Sequence, residues 1–314
     1  MSRKKSTRKK SESTKDKLTY STSQLFNFAP NSYLERTSRP VYAIVFLLPF
    51  IVVYEMGTLL INTNELNQSQ VRVVAFVWLK ELLEYLGTGS RLAWVAPPFV
   101  VVLILIGLQV ASKKKWYFNK SDFAPMSIEC LFLAVPLIVF SLFLSSPRTR
   151  GVAAGVVAVP VAAAMQESSG HSSALDANRP AEASADSPVV QPSLLANVVT
   201  GIGAGIYEEL VFRLILICLL MMFFQDLLRL SHTSSIILSV LISAALFSAH
   251  HHVIILDGQI GQTGTFDAMQ FTFRTIAGVY FAGLFAIRGF GIAAGTHAFY
   301  DIIAIIVNAY FFQS

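Results

Sequence analysis

The chain has 314 residues, 54% hydrophobic and 14% charged, with a mean hydropathy of +0.58. Several apolar runs reach the ~20 residues that cross a bilayer, which excludes a soluble globular protein. The net charge of +5 arises in residues 1–40, which carry ten basic and three acidic side chains. No basic fold follows this tail, so we expect no nucleic-acid partner.

The first half of the chain predicts a cytoplasmic tail followed by a membrane region. Residues 1–40, rich in Ser, Thr and Lys, predict a disordered tail that the positive-inside bias keeps in the cytoplasm. Residues 41–165 predict the N-terminal transmembrane helices. The expected elements are spans at about 41–61, 92–111 and 128–145, with an amphipathic interfacial helix at about 71–86.

A Ser/Ala/Pro-rich stretch at 166–194 predicts a disordered insert between the two halves of the chain. The apolar run before it, 151–165, covers only about 22 Å as a helix, less than a bilayer core. Whether this run crosses decides the topology of everything after it, and the sequence leaves both alternatives open. Arg229 and Arg288 in later loops favour the non-spanning alternative.

The last part of the chain, 195–314, predicts a tightly packed group of helices. Its glycines would let neighbouring membrane helices approach closely. Three residues separate the last two helices, which predicts an antiparallel helical hairpin. Together with the first half, this gives an all-α polytopic membrane bundle of about seven or eight transmembrane helices. The helices expected here are 197–228, 235–252, 269–287 and 291–312.

Two carboxylates and a guanidinium stand inside one of these apolar runs, at Glu208, Glu209 and Arg213. Ionisable groups within a membrane helix mark either a functional site or an ion pair that braces the bundle. Residues four apart share a helix face, so Glu209 reaches Arg213 while Glu208 points about 100° away. The spacing predicts a structural pair, Glu209 with Arg213, and leaves Glu208 to face a cavity as a general base.

Two further clusters lie in later helices. His250, His251 and His252 end one helix and point in three directions, so at most two of them serve one cavity. Such a triplet taken alone is more often interfacial or a helix-capping cation. His297 and Asp301 are four residues apart on one face of the final helix. Three separate helices therefore offer ionisable groups to one bundle.

Two chemistries use such a set. In the first, Glu208 and a histidine activate a water that attacks a peptide carbonyl, and His297 donates to the developing oxyanion. In the second, Glu208, His251 and His297, with Asp301 as a further candidate, hold a divalent metal such as zinc that activates the water. The sequence has no His-Glu-x-x-His helix that would require a metal, and no Gly-x-Ser-x-Gly elbow of a serine hydrolase.

The three clusters resemble the signature of the CPBP family of intramembrane proteases, which includes the type II CAAX prenyl endopeptidases and the bacterial Abi proteins. The first motif, Glu-Glu-x-x-x-Arg, is similar to 208–213. The second, Phe-x-x-x-His, is similar to 247–251 and selects His251 from the triplet. The third, His-x-x-x-Asn/Asp, is similar to 297–301. The resemblance covers about 195–312.

The resemblance implies an endopeptidase of the glutamic type, historically described as a metalloprotease, with its catalytic core in 195–314. No cofactor is expected, and zinc on Glu208, His251 and His297 is the alternative. The resemblance assigns catalysis to Glu208, His251, His297 and Asp301, supported by Glu209, Arg213, Phe247 and His250.

Asp301 departs from the CAAX-type enzymes, which tend to have Asn at this position of the third motif. An ionised carboxylate cannot donate a hydrogen bond to an oxyanion. Either Asp301 is protonated, or it accepts a hydrogen bond and orients His297. We favour the orienting role as the prediction to compare with the structure.

We expect the partners to be the lipid bilayer and a membrane-associated protein or peptide substrate, with prenylation of that substrate left open. The expected location is the cell membrane, plasma or inner, as a multi-pass protein with a cytoplasmic N-terminus. Two other classes remain. One is a scaffold or bacteriocin-immunity-type protein that cleaves nothing. The other is a proton-coupled transporter, which is disfavoured because the chain shows no matching halves.

Overall fold

The structure, a computed structural model, describes residues 28–64, 73–144, 193–256, 259–262 and 266–311. These residues form a helical bundle with one short β-hairpin. In chain order the elements are α1 Tyr33–Thr37, α2 Pro40–Asn64, α3 Val74–Tyr85, α4 Ser90–Ala93, α5 Ala96–Ser112, α6 Phe123–Leu144, α7 Leu194–Leu227, α8 His232–Ala249, β1 Val253–Leu256, β2 Gln259–Gln262, α9 Ala268–Arg288 and α10 Phe290–Phe311.

The prediction of a helical polytopic membrane bundle is confirmed. Six of the described helices, α2, α6, α7, α8, α9 and α10, are long and apolar enough to cross a membrane. With the shorter apolar helix α5, the described part of the chain offers seven candidate crossings, the lower value of the predicted range. The run at 151–165 lies outside the described residues, as does the predicted insert at 166–194 except for its last two residues.

One short β-hairpin accompanies the predicted helical bundle. Strands β1 and β2 pair antiparallel with Val253 opposite Gln262, where the sequence predicted that the preceding helix continues to His252. Helix α8 ends at Ala249 instead. The side chains of His250 and His251 both direct Nδ1 at the carbonyl oxygen of Phe247, an acceptor that the backbone of a longer helix would use.

The first motif, 208–213, lies where helix α7 changes from α-helical to π-helical geometry. The helix begins at a cap, where the Ser193 hydroxyl accepts from the Ala196 amide, and is α-helical as far as Glu209. Leu210–Leu216 is then π-helical, with one extra residue between hydrogen-bonded partners. π-Helical turns within α-helices are rare and frequent at functional sites. Arg213 stands in this widened turn.

Glycine lets α7 touch α10. A Cβ on Gly205 would lie 2.5 Å from the backbone nitrogen of Ala298, and one on Gly201 would lie 2.9 Å from the Asp301 Cβ. Real Cβ atoms essentially never lie within 3.0 Å of such a neighbouring atom, so both contacts require glycine. Because these contacts also pair residue 201 with 301 and 205 with 298, α7 and α10 are antiparallel. The third motif is thereby set beside the first.

Gly205→Ala should therefore destabilise the bundle by about 1–3 kcal/mol through overpacking. Gly283→Ala in α9 is the matched control, because nothing lies within 4 Å of a Cβ placed there; it should be neutral or stabilising, since Ala is the better helix former by about 1 kcal/mol. Unfolding of the purified protein in detergent measures both. Equal stability of the two variants would contradict the close contact.

One end of the bundle is held by buried ion pairs, and we call it the basic end. Arg288, at the end of α9, binds Glu129 of α6 at 2.5 Å through Nε and also donates to Ser38 and Thr37. Arg36 of α1 pairs with Asp122 at 3.0 Å. The starts of α2, α6 and α10 and the ends of α5 and α9 meet here.

These contacts correct the predicted extent of the disordered tail. Residues 33–37 form a helix, and Thr37, Ser38 and Arg39 are buried. Arg39 also pairs with Glu35, which in turn binds Lys114 at 3.3 Å. Burial opposes ionisation of Glu35, but hydrogen bonds from Arg39 and Lys114 prevail and lower its pKa. The ordered region thus begins before residue 40, and residues 1–27 lie outside the described part.

Candidate active site

The two adjacent glutamates of α7 face different neighbours, as the helical spacing predicted. Glu209 is fully buried and lies 3.2 Å from Nη1 of Arg213. Glu208 is 6% exposed and turns its two oxygens toward histidines from other elements. The structure therefore contains both predicted groups: the Glu209–Arg213 ion pair and a separate carboxylate, Glu208.

Arg213 is enclosed by aromatic rings. Its guanidinium lies 4.1 Å from the centre of the Phe247 ring and 5.6 Å from that of Phe281. Nη2 also approaches the Gly278 carbonyl at 3.5 Å. A planar guanidinium stacks on such rings while keeping its ion pair. Phe247, predicted as a supporting residue from the second motif, thus packs on the cation of the first motif.

Glu209 has a second partner that the sequence did not reveal. Its Oε1 lies 2.8 Å from Nδ1 of His297. A carboxylate only accepts hydrogen bonds, so Nδ1 of His297 carries a proton and donates. The His297 ring is also stacked on Phe281, with ring centroids 4.5 Å apart and planes 17° apart. Glu209 and Phe281 together fix the orientation of this imidazole.

The outer nitrogen of His297 faces the two remaining carboxylates. Its Nε2 lies 3.5 Å from Oδ2 of Asp301 and 3.9 Å from Oε2 of Glu208. Asp301 therefore approaches the nitrogen that points into the site, whereas Glu209 holds the other one. The orienting role of Asp301 stays a prediction, and Glu209 makes the shorter contact with the same imidazole.

Two histidines of the triplet, His250 and His251, lie near Glu208. Nε2 of His250 lies 3.5 Å from Oε1 of Glu208, and His250, His251 and Glu208 each offer a ligand atom within 4.8 Å of one another. The Phe247 carbonyl accepts from Nδ1 of both histidines, which leaves each Nε2 without a proton in the neutral form. The motif selected His251, and the structure adds His250 as a direct neighbour of Glu208.

His251 is buried beside its neighbours. Burial and the charge of His250 keep the pKa of His251 well below its usual value. It is therefore neutral at pH 7 and offers Nε2 as an acceptor. The third histidine, His252, contacts the rings of Phe266 and Phe271 and is not among the residues grouped with Glu208.

Arg274 is a charged group near the site that the motifs do not include. It lies on the same face of α9 as Gly278 and Phe281, at positions i, i+4 and i+7. It interacts electrostatically with Glu208 and Asp301. In the sequence, the one signal that places Arg274 near the site is its helical spacing of seven residues from Phe281. The sequence does not show that Phe281 lines the site, so Arg274 was not predicted.

Glu208, His250 and His251 are the described residues that could hold a metal ion together. Two imidazoles and one carboxylate are a donor set found in catalytic zinc sites. The set differs from the sequence alternative, because His297 is engaged by Glu209 and His250 takes its place. Donor atoms of a tetrahedral zinc site with ~2.1 Å bonds are about 3.4 Å apart, closer than the 4.8 Å limit that holds for these three.

Comparison with known proteins finds one family model that is similar to the last part of the chain. Residues 190–303 match the family model described as Rce1-like, type II CAAX prenyl endopeptidase. The match contains all three motifs, so the resemblance drawn from them is confirmed: over these residues the chain is similar to the CPBP and CAAX protease family. No curated protein and no solved structure matches the chain. The family implies a membrane-embedded protease that acts on membrane-associated protein substrates.

Proposed function

We propose that the protein is an intramembrane endopeptidase in which Glu208 and a histidine activate water against a peptide bond. The observation that carries the proposal is that Glu208, fully separate from the Glu209–Arg213 pair, faces His250 at 3.5 Å and His297 at 3.9 Å. Both separations exceed the 2.7–3.2 Å of a direct N–H···O bond and suit groups joined by water.

In the proposed reaction, Glu208 takes a proton from the water while the water oxygen attacks the carbonyl carbon of the substrate. The carbonyl oxygen becomes an oxyanion. Collapse of this intermediate breaks the C–N bond, and the proton held by Glu208 passes to the leaving amine. The products are an amine and a carboxylic acid, which ionises by losing its proton to solvent, and Glu208 is again a carboxylate.

His297 is the proposed donor to the oxyanion. Its Nδ1 donates to Glu209, so donation from Nε2 as well requires an imidazolium. Glu208, Glu209 and Asp301, all within 4 Å of the ring, supply the compensating negative charge. Asp301 then orients Nε2 from the side, in place of the amide donor that Asn would provide.

Substitutions in the second motif distinguish the roles of the neighbouring histidines His250 and His251. His250→Ala and His251→Ala should each lower kcat/KM by about 10²–10⁴, the range for a lost acid–base group. His252→Ala is the matched control, because it is partly exposed and stands apart from Glu208. Full activity of His251→Ala together with loss in His250→Ala would assign the role to His250 alone.

Metal dependence is the competing proposal for the same atoms. We propose that no metal is required, so dialysis against a chelator should leave at least half of the cleavage rate. Loss of activity on chelation and its return with zinc would instead favour a metal on Glu208, His250 and His251. Glu208 would then be a ligand rather than the base.

The proposed function is tested without a known substrate by comparing membrane proteomes. Cells with the native protein should show new protein termini near membrane segments that cells with Glu208→Ala lack. The variant must be present in the membrane at the native level. Identical sets of termini would favour the scaffold or immunity-type alternative, which the motifs alone do not exclude. Cleavage near a prenylated C-terminus would extend the proposal to a prenylated substrate.

A further inference from the structure

One face of helix α8 carries buried serines. Ser235, Ser239 and Ser243 are spaced four residues apart, so they share a face, and each is at most 1% exposed. The hydroxyl of Ser235 donates at 3.0 Å to the Ser231 carbonyl one turn earlier, a common partner of serine in a membrane helix. Ser243 differs, because its hydroxyl donates at 2.6 Å to the Phe212 carbonyl of α7. This serine therefore joins two helices.

The carbonyl that Ser243 binds lies inside the π-helical turn of α7. Phe212 belongs to Leu210–Leu216 and stands directly before Arg213 of the first motif. A carbonyl oxygen has two lone pairs, so it can accept from Ser243 in addition to an amide of its own helix. π-Helical turns occur mostly as single irregular turns within α-helices, and a bond from a second helix helps to fix such a turn. The hydroxyl of Ser243 thereby holds the backbone beside the Glu209–Arg213 pair.

The side chain of Phe212 reaches the imidazole next to Glu208. Its ring centroid lies 4.8 Å from that of His250, with the planes 36° apart, and Phe212 is 3% exposed. Trp78 of α3 also packs on this imidazole, with ring centroids 5.8 Å apart. Nδ1 of His250 is directed at the Phe247 carbonyl, and its Nε2 lies 3.5 Å from Oε1 of Glu208. The Phe212 ring is therefore one wall of the space in which His250 turns Nε2 toward Glu208.

Phe247 fixes Phe212 from a second direction. The two rings are nearly perpendicular, with centroids 5.5 Å apart and planes 84° apart, an edge-to-face arrangement that aromatic rings prefer. Because the Phe247 carbonyl also accepts from Nδ1 of His250, Phe212, Phe247 and His250 form one packed group. A shift of the Phe212 backbone moves a ring of this group, and the imidazole moves with it.

We propose that Ser243 is a positioning residue of the Glu208 site. Its hydroxyl fixes the Phe212 carbonyl in the π-helical turn, and the Phe212 ring fixes His250 at a distance from Glu208 that suits a shared water. Ser243 acts through Phe212 and His250 and takes no proton in the reaction. It belongs to none of the three motifs and stands four residues before the second. The inference rests on the proposed function of Glu208 and adds a residue that sets the geometry around it.

Cleavage kinetics of Ser243→Ala test the proposal. A displacement of about 1 Å at a catalytic group costs about 10²-fold in rate, so we expect kcat to fall by about 10–100-fold. KM should change by less than about threefold, because the loss falls on the chemical step. Ser243→Thr keeps the hydroxyl and should recover most of the native kcat. Ser235→Ala is the matched control, because it removes a similarly buried hydroxyl that bonds within its own turn, and its kcat should equal that of the native protein.

A double-variant cycle separates positioning from a general loss of packing. If Ser243 acts through His250, then Ser243→Ala should lower kcat by less than about threefold in a His250→Ala background, since residues in one network are not additive. Additive losses, or a native kcat in Ser243→Ala, would overturn the proposal. Phe212→Leu removes the ring that packs on His250 and should behave like Ser243→Ala. It is the variant to use if Ser243→Ala does not fold.

Chemical modification of His250 reads the same geometry without catalysis. Diethyl pyrocarbonate reacts with neutral imidazoles, and fragmentation of the peptides in a mass spectrometer assigns the modified ring. His250 is 7% exposed and packs on Phe212. We therefore expect Ser243→Ala to raise its modification rate by at least about threefold through local loosening, whereas Ser235→Ala should leave the rate unchanged.

The two readouts distinguish failure of the inference from failure of the proposed function. A native protein that cleaves nothing, with faster modification of His250 in Ser243→Ala, would reject the proposed function and leave the positioning of His250 standing. Cleavage that is lost in Glu208→Gln but unchanged in Ser243→Ala, with an unchanged modification rate, would reject the role of Ser243 alone.

Discussion

Glu208→Gln should abolish proteolysis, with a loss in kcat of at least about 10³. The substitution keeps the size of the side chain and its position on α7, but an amide has no basicity with which to take a proton from water. It also removes a charge that faces His250 and His297. Single-turnover cleavage of a substrate found by the terminus comparison measures the effect on the chemical step.

Two further variants make this result specific. Glu208→Asp keeps the carboxylate but withdraws it by one methylene, so it should retain a small activity that Glu208→Gln lacks. Glu84→Gln is the matched control, since Glu84 forms a partly exposed pair with Lys80 at 3.3 Å, worth ~0–1 kcal/mol. Cleavage by Glu208→Gln at the rate of Glu84→Gln would rule out Glu208 as the base.

The sequence predicted the parts of the site that depend on spacing within one helix. Glu209 and Arg213 are four residues apart, and the structure joins them at 3.2 Å. His297 and Asp301 share a face for the same reason and lie 3.5 Å apart. Apolar run lengths likewise predicted the membrane helices to within a few residues. These features need only the geometry of a helix.

Contacts between residues of different helices could not be predicted from the sequence. The bond from His297 to Glu209 depends on the contact of Gly205 with Ala298, which sets the register of α7 against α10. The approach of His250 to Glu208 depends on where α8 ends, and the sequence predicted three further residues of helix. Arg274 lies near the site because of the way α9 packs on the other helices. The local sequence pattern does not predict that packing.

Arg213→Met should cost about 3–5 kcal/mol of stability, the largest structural effect we expect from one substitution. Methionine replaces the apolar part of the arginine but leaves Glu209, which is 0% exposed, without its cation. Breaking a buried pair by removing one partner leaves an uncompensated charge, which is more costly than the pair itself is favourable. Denaturant or thermal unfolding in detergent measures the loss.

The double variant Arg213→Met with Glu209→Gln decides whether this cost comes from the stranded charge. Because the amide of glutamine carries no charge, the double variant should be more stable than Arg213→Met alone, by at least about 1 kcal/mol. Arg91→Met, at an exposed position, controls for loss of a cation and should change stability by less than about 0.5 kcal/mol. Additive costs of the two site substitutions would contradict the pair. Recovery of stability without recovery of cleavage would then show that Glu209 is needed by His297 as well, since Oε1 of Glu209 lies 2.8 Å from Nδ1 of the catalytic imidazole.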